Sequence, residues 1–565
     1  MADSLIADET RPLLADTVYK THSATTTAVD DHTDLEADGH GLRRDDLVAF
    51  ADDPDNPRNW PAAFRWTIVF LLAFMAFTVT FTCISVVPFA SHIVDELEGH
   101  GKDGSASDGG GSGVGSASVL LVTIWELGEA AGPLAIAPLS ETVSWGRAKV
   151  LTATSALFAL ATAFAAVAPS TALFIGARGL TGLAVATNVL NPAIVGDMFP
   201  PDERGSAMSL VQLTPLIGGA IGPAIGGAVA DTWGWRSVLW LSTGLAVACN
   251  LLVWAAFRET YPPAVLRIRH DRLRKERQTP GALKGSKLAG AASVPSSPSS
   301  SSLSSSPAPS PSPTVSVPTS TSPSSSGLRH IRDAVLRPAI LLADSFVLAS
   351  LATYGAVLFS YFYVMSVSLP DILESRYGFS SAATGSSFLV FSTGAFCSVV
   401  ICNRYLDPIY RRLTSTRGRL SPEDGVTRIG RPEFKLPLAT CCGILLPLAL
   451  AAYGWSAELV LPLPYLLFSV GFMGASMMLT FLPLAAYVVD AFGLYAASAM
   501  TGIIVSRCLC STFLPLAVAP LIATFGYGWG FMVLAGICLI VTPVPVFVYI
   551  YGEKWRQLSK YTRDA

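Results

Sequence analysis

Charge is scarce in this chain. Of 565 residues only 14% are charged while 51% are hydrophobic, and the mean hydropathy is +0.49. A soluble domain carries about 25% charged residues, so an ordinary water-soluble enzyme is excluded and a polytopic membrane protein is indicated. Histidine is scarcer still. None of its seven copies falls inside an apolar run of spanning length, which leaves carboxylates to relay any proton through the membrane. The nine cysteines are odd in number, all lie in apolar segments, and none shows metal-ligand spacing; they read as small buried hydrophobes. No Gly-x-x-x-x-Gly-Lys-Ser/Thr loop occurs, which argues against an ATP-driven pump. With no nucleophile–base arrangement and no metal cluster, neither an enzyme, a metal site, a cofactor nor a nucleic-acid partner is expected. The first 60 residues contain no hydrophobic leader, so insertion is expected to begin at an internal span.

What the chain does have is apolar runs. Twelve segments of about 20 residues, each able to cross ~30 Å of hydrocarbon, lie near 66–89, 118–140, 148–168, 171–194, 207–230, 236–257, 338–362, 382–402, 436–454, 461–484, 497–523 and 528–551. Basic residues gather after the even-numbered spans: Arg147 and Lys149, Arg204, the run from Arg258, the run from Arg404 to Lys435, then Lys554 and Arg556. By the positive-inside rule both termini are cytoplasmic. The expected domains are a disordered tail over 1–64, a six-helix half over 65–257, and a basic, then Ser/Pro-rich linker over 258–337. A second six-helix half covers 338–551 and a short tail 552–565. The fold class is thus all-α, with twelve membrane helices as six plus six, and a bilayer is the first partner.

One stretch is compositionally odd. Gly218, Gly222 and Gly226 recur every four residues in span 5, beside Pro223 and Gly227. In water such a helix would lose roughly 1 kcal/mol per glycine. Inside a bilayer it offers a bare stripe for close helix contact or bending. This stretch is similar to the antiporter motif of the fungal twelve-span drug:proton antiporters of the major facilitator superfamily, and the resemblance extends over nearly the whole chain. Arg178, Gly182 and Ala186 in span 4 match that family, as do Arg258-Glu259-Thr260-Tyr261, Pro432-Glu433-Phe434-Lys435 and the segment from Asp490 to Ala499. Two segments depart from it. After Pro138-Leu139-Ser140-Glu141 the pattern's glycine comes two positions late, at Gly146-Arg147, and Asp344-Ser345 stands where span 7 often carries Glu-Pro. The resemblance implies proton-coupled efflux of a hydrophobic or amphipathic molecule by alternating access, from a monomer in the plasma membrane. The cargo would be a drug or a secreted secondary metabolite such as a glycolipid surfactant. Uptake of a polar solute such as a sugar, organic acid or polyamine is the alternative.

Ionisable residues inside spans mark function by default, since each costs at least about 2.5 kcal/mol at mid-membrane. There are five: Glu126, Glu129, Arg178, Asp344 and Arg507. Depth counting puts Glu126 and Arg178 level, so they are expected to pair. Glu129 lies one turn on from Glu126 and, with Glu126 and Asp344, is a proton-coupling candidate. Arg507 is expected to orient substrate or to hold Asp490 or Asp344 as a gate, and Glu141 and Arg147 to gate the loop after span 2. Trp125, Tyr354, Tyr361 and Phe362 are candidates to line the cavity.

Overall fold

The computed structural model describes residues 53–98, 115–140, 145–200, 203–278, 336, 338–417, 419–420, 428–493 and 496–559. Within them, eleven helical stretches are long and apolar enough to cross a membrane. Spans 1 to 10 are Ala62–Leu97, Ser116–Ser140, Gly146–Ala166, Thr171–Met198, Arg204–Trp233, Trp235–Ala256, Phe346–Tyr377, Ser381–Thr416, Pro437–Glu458 and Leu463–Phe492. The last stretch, Ser498–Arg556, has 59 residues. As one helix it would run about 88 Å, nearly three times a hydrocarbon core of ~30 Å. It breaks at Gly526, whose φ of 75° and ψ of 177° lie outside the helical region. A Cβ on Gly530 would sit 3.6 Å from the Leu521 backbone, whereas nine residues of straight helix separate atoms by about 13.5 Å. The chain reverses there, giving spans 11 and 12 and a total of twelve. Outside the spans, the described residues form short 3-10 turns, a basic helix over Pro262–Gln278, a helical stretch over 338–344, and a two-residue antiparallel ladder, Arg419–Leu420 with Arg428–Ile429.

Two spans are interrupted for local reasons. In span 1, Pro88 sits in a 3-10 turn over Val87–Phe89, after which the helix resumes to Leu97 and carries His92 at its end. Span 4 parts at Ala184–Ala186, between Thr171–Leu183 and Thr187–Met198. Broken helices are tolerated at membrane depth only where protein covers the freed backbone, and Ala184, Val185 and Ala186 are all buried.

The packing repeats. Span 1 packs on 5, 2 on 4 and 3 on 6; span 7 packs on 11, 8 on 10 and 9 on 12. Across the halves, 2 meets 11 and 5 meets 8. Adding six to each number maps either set onto the other, as two related halves require. Large apolar side chains such as Phe164, Trp240 and Ile540 point outward and exposed, a surface that lipid covers.

Asp53 and Ser559, the first and last described residues, lie on one face, here called the terminal face. One apolar core runs through both halves: in the first it lies toward the opposite face, at Ile84, Phe89 and Trp125, and in the second it extends through the whole depth, from Leu369 and Leu466 to Leu436, Phe492 and Val548. A separate core under the terminal face, from Trp60 and Leu72 to Met198 and Val253, belongs to the first half alone.

Candidate functional site

Span 2 can approach span 4 because glycine lines both sides of the contact. A Cβ on Gly128 or Gly132 would strike the Gly179 or Leu183 carbonyl, and one on Gly182 would strike that of Trp125. With that face committed to span 4, the 100° step per residue turns Glu126 and Glu129 toward the second half.

There they meet spans 7 and 11. Glu129 Oε1 accepts from Arg507 Nη2 at 2.9 Å and from Asn188 Nδ2. Glu126 Oε1 accepts from the Tyr363 hydroxyl at 2.6 Å, while its Oε2 has no hydrogen-bond partner. Both carboxylates are buried, 1% and 2% exposed. The Arg507 guanidinium lies 4.2 Å over the Phe359 ring, within a wall formed with Phe362, Tyr363, Phe391 and Phe481. Trp125 packs edge-on to Tyr363. Fully ionised, two carboxylates and one guanidinium leave this cluster one negative charge in excess, which a single bound proton neutralises.

Several expected pairings do not form. Arg178 does not pair with Glu126; it donates to the Thr82, Cys83 and Leu121 carbonyls at 3.1, 2.6 and 3.4 Å. Thr82 and Cys83 end the first helix of span 1, where freed carbonyls concentrate partial negative charge. Asp344 is not inside a span. Span 7 begins after Ser345, whose Oγ caps the Leu348 N–H, and Asp344 is exposed and accepts from Ser559 Oγ at 2.8 Å. Arg507 holds neither Asp344 nor Asp490. Asp490 pairs with Lys435 at 2.6 Å. Among the aromatic candidates, Trp125 and Phe362 border the cluster. Tyr361 instead donates to the Leu534 carbonyl at 2.7 Å within the second half, and Tyr354 is buried against spans 9 and 12 near Gly443 and Thr542.

At the terminal face each half carries its own charge network. Glu259 accepts the N–H groups of Arg147 and Ala148, capping span 3, while Arg147 Nε reaches Asp197 Oδ2 at 2.5 Å. Gly146, at φ 69°, is required twice over, because a Cβ there would also run into the Glu259 carboxylate. That explains the displaced glycine. Glu141 lies outside the described residues. In the second half Lys435–Asp490 answers to Arg147–Asp197, and Arg556 grips Glu433 through two bonds of 2.9 and 3.2 Å. Asp197, Glu259, Asn188 and Tyr363 were not legible as site residues. Of these, Glu259 carries a signal, as the acid of the Arg258-Glu259-Thr260-Tyr261 segment.

The glycine stripe of span 5 serves two neighbours. Gly218 and Gly222 face the Phe77 and Phe81 carbonyls of span 1, and Gly226 faces that of Ser85. Gly227 faces the Ser381 carbonyl of span 8, and the Pro223 carbonyl abuts Gly385. The polar contacts joining the halves follow the same side: His92–Glu374 at 3.1 Å, Ala382 N–H to Asp231 at 2.9 Å, and Thr123 Oγ1 to the Thr512 carbonyl at 3.3 Å. Glu126–Tyr363 and Glu129–Arg507 close the series at mid-depth. The ion pairs at the terminal face named above stay within one half. Among the described residues, the hydrogen bonds and ion pairs between the halves therefore lie from mid-depth to the opposite face.

Residues 67–515 match the family model described as Major Facilitator Superfamily. The chain is 30% identical over 510 residues to the MFS transporter cpaT of Aspergillus oryzae, covering 90% of this chain and 91% of that one. It is 27% identical to the efflux pump radE of Floropilus chiversii over 90% and 84% of the two chains. Among solved structures, a D-xylose–proton symporter superposes with a TM-score of 0.57 at 13% identity, over 89% of this chain and 98% of that one. The peptide transporter POT gives 0.55 at 12%, over 87% and 95%. These two likenesses concern the fold alone.

Proposed function

Because this chain belongs to the Major Facilitator Superfamily and is a transporter rather than an enzyme, we propose that it exports a hydrophobic or amphipathic small molecule in exchange for protons. In this reading both termini lie in the cytoplasm of a plasma-membrane protein, so a conformation whose halves are joined at the opposite face is the inward-facing one. The observation that carries the reading is the Glu129–Arg507 ion pair between spans 2 and 11, beside a second buried carboxylate. A proton arriving on this cluster removes its excess charge and weakens the hold of Glu129 on Arg507. The halves are then free to rock, and the proton's departure restores the pair. Cargo enters against the Phe359–Phe362–Tyr363 wall, whose rings favour apolar or flat molecules. The relative named as an efflux pump supports the outward direction. The cargo class proposed is a drug or a secreted secondary metabolite, with the two six-helix halves at 65–257 and 338–551 as its moving bodies.

The test uses purified transporter in liposomes with an imposed proton gradient and a panel of amphipathic dyes. Uphill dye movement that collapses with a protonophore is expected. Transport that ignores the gradient, or that moves only sugars or organic acids inward, overturns the proposal.

A further inference from the structure

Glu126 and Glu129 of span 2 and Cys508 of span 11 form a group whose donor atoms, one per residue, all lie within 4.8 Å of one another. Cys508 is fully buried, and its Sγ is 3.8 Å from Arg507 Nη2. We propose that these three residues form a binding site for a soft divalent metal ion of the zinc class, which on binding staples span 2 to span 11.

Three features point to such an ion. A thiolate beside two carboxylates is a donor set that zinc accepts, and sulfur disfavours magnesium or calcium. The second is an under-bonded oxygen: Tyr363 occupies Glu126 Oε1, while the buried Oε2 makes no hydrogen bond and has the Cys508 thiol close by. The third is charge. Thiolate and two carboxylates supply −3, the metal +2 and Arg507 +1, so the loaded site is neutral, which burial at membrane depth favours. Ligand atoms around a tetrahedral zinc stand about 3.5 Å apart, so the group tightens by roughly 1 Å through side-chain rotation. As the metal–sulfur bond forms, the Cys508 S–H bond breaks and its proton leaves to water. The carboxylates donate lone pairs, water fills the fourth position, and no electron changes hands. Since the ligands come from both halves, the bound ion holds them together where they already meet, and it competes with protons for the same oxygens.

Cadmium, a spectroscopic stand-in for zinc, tests this on the full-length purified transporter. Titration with cadmium chloride should reveal one tight equivalent through a thiolate-to-cadmium ultraviolet band. Cys508→Ser and Glu126→Gln should each weaken it about tenfold or more, while Cys510→Ser on the same helix leaves it unchanged. The native protein in liposomes should lose transport at that one equivalent. Equal affinity in Cys508→Ser, or no stoichiometric binding, overturns the site. Should the variants misfold, X-ray absorption on unsubstituted protein decides: one sulfur with oxygen neighbours supports it, and a multi-sulfur shell overturns it.

Discussion

Arg507 and Glu129, 378 positions apart, meet at 2.9 Å across the two halves. Removing one partner of a buried ion pair leaves an uncompensated charge and costs about 3–5 kcal/mol. Arg507→Leu is therefore expected to lower expression and abolish gradient-driven transport. The double variant Glu129→Leu with Arg507→Leu should fold better than Arg507→Leu alone yet stay inactive. Size-exclusion profiles and liposome assays check both parts, and a double variant no better folded than the single would show the pair to be incidental.

Tyr363 and Tyr361, two positions apart, separate function from stability. Tyr363→Phe removes the hydroxyl that donates to Glu126 Oε1, a hydrogen bond to a charged group worth about 1.5–3 kcal/mol, at a contact that exists only while the halves meet. Transport should fall at least tenfold. Tyr361→Phe removes a bond to the Leu534 carbonyl inside one half, so it should lower the melting temperature and spare transport. Equal transport losses in the two variants would place Glu126 outside the mechanism.

How much of this was legible depends on what a linear pattern encodes. Twelve spans and their order follow from local hydropathy, and lone charges inside apolar runs mark Glu126, Glu129 and Arg178, which are buried, and Arg507, which is partly so. Depth was readable too. What depth counting cannot supply is the direction a side chain takes around its helix or which helix stands there, so depth alone pairs Arg178 with Glu126, whereas it lies against the end of the first helix of span 1. Asp344 illustrates a different failure: a hydropathy window covered it, although Ser345 one residue later is a helix N-cap that sets the span's start. The Glu126–Glu129–Cys508 group was invisible because its members come from different halves.

Arg178 yields a prediction opposite to the one that pairing would give. Arg178→Leu orphans the Cys83 carbonyl and leaves that of Thr82 with only the long Ser85 Oγ contact at 3.5 Å, at about 1–3 kcal/mol for each group left unsatisfied, and adding Glu126→Leu should bring no recovery. Arg178→Lys should recover only in part, because one ammonium cannot span carbonyls that the guanidinium reaches through separate nitrogens. Thermal unfolding in detergent measures all three. Recovery in the double variant would mean that Glu126 does answer Arg178, in a conformation other than this one.

Span 5 carries three glycines whose replacement by alanine should have three different outcomes. Gly219 faces only side-chain atoms of Thr80 and Ile84 at 3.8 Å, an ordinary contact, so Gly219→Ala should be silent or gain up to about 1 kcal/mol of helix propensity. At Gly226 the new methyl runs into the Ser85 carbonyl of span 1, within the same half, and should lower the melting temperature whatever the transporter's state. Gly227 faces the Ser381 carbonyl of span 8 across the halves. There the methyl pushes apart the face that is closed in this conformation and touches little else, so stability should hold while the opposite-face-open state gains population. Spin labels at the exposed Thr232 and Ser375, one on each half, report that distance directly. A shift to longer separations in Gly227→Ala, absent from Gly219→Ala, is the expected result; an unchanged distribution together with lost stability would assign Gly227 to packing rather than to the opening of that face.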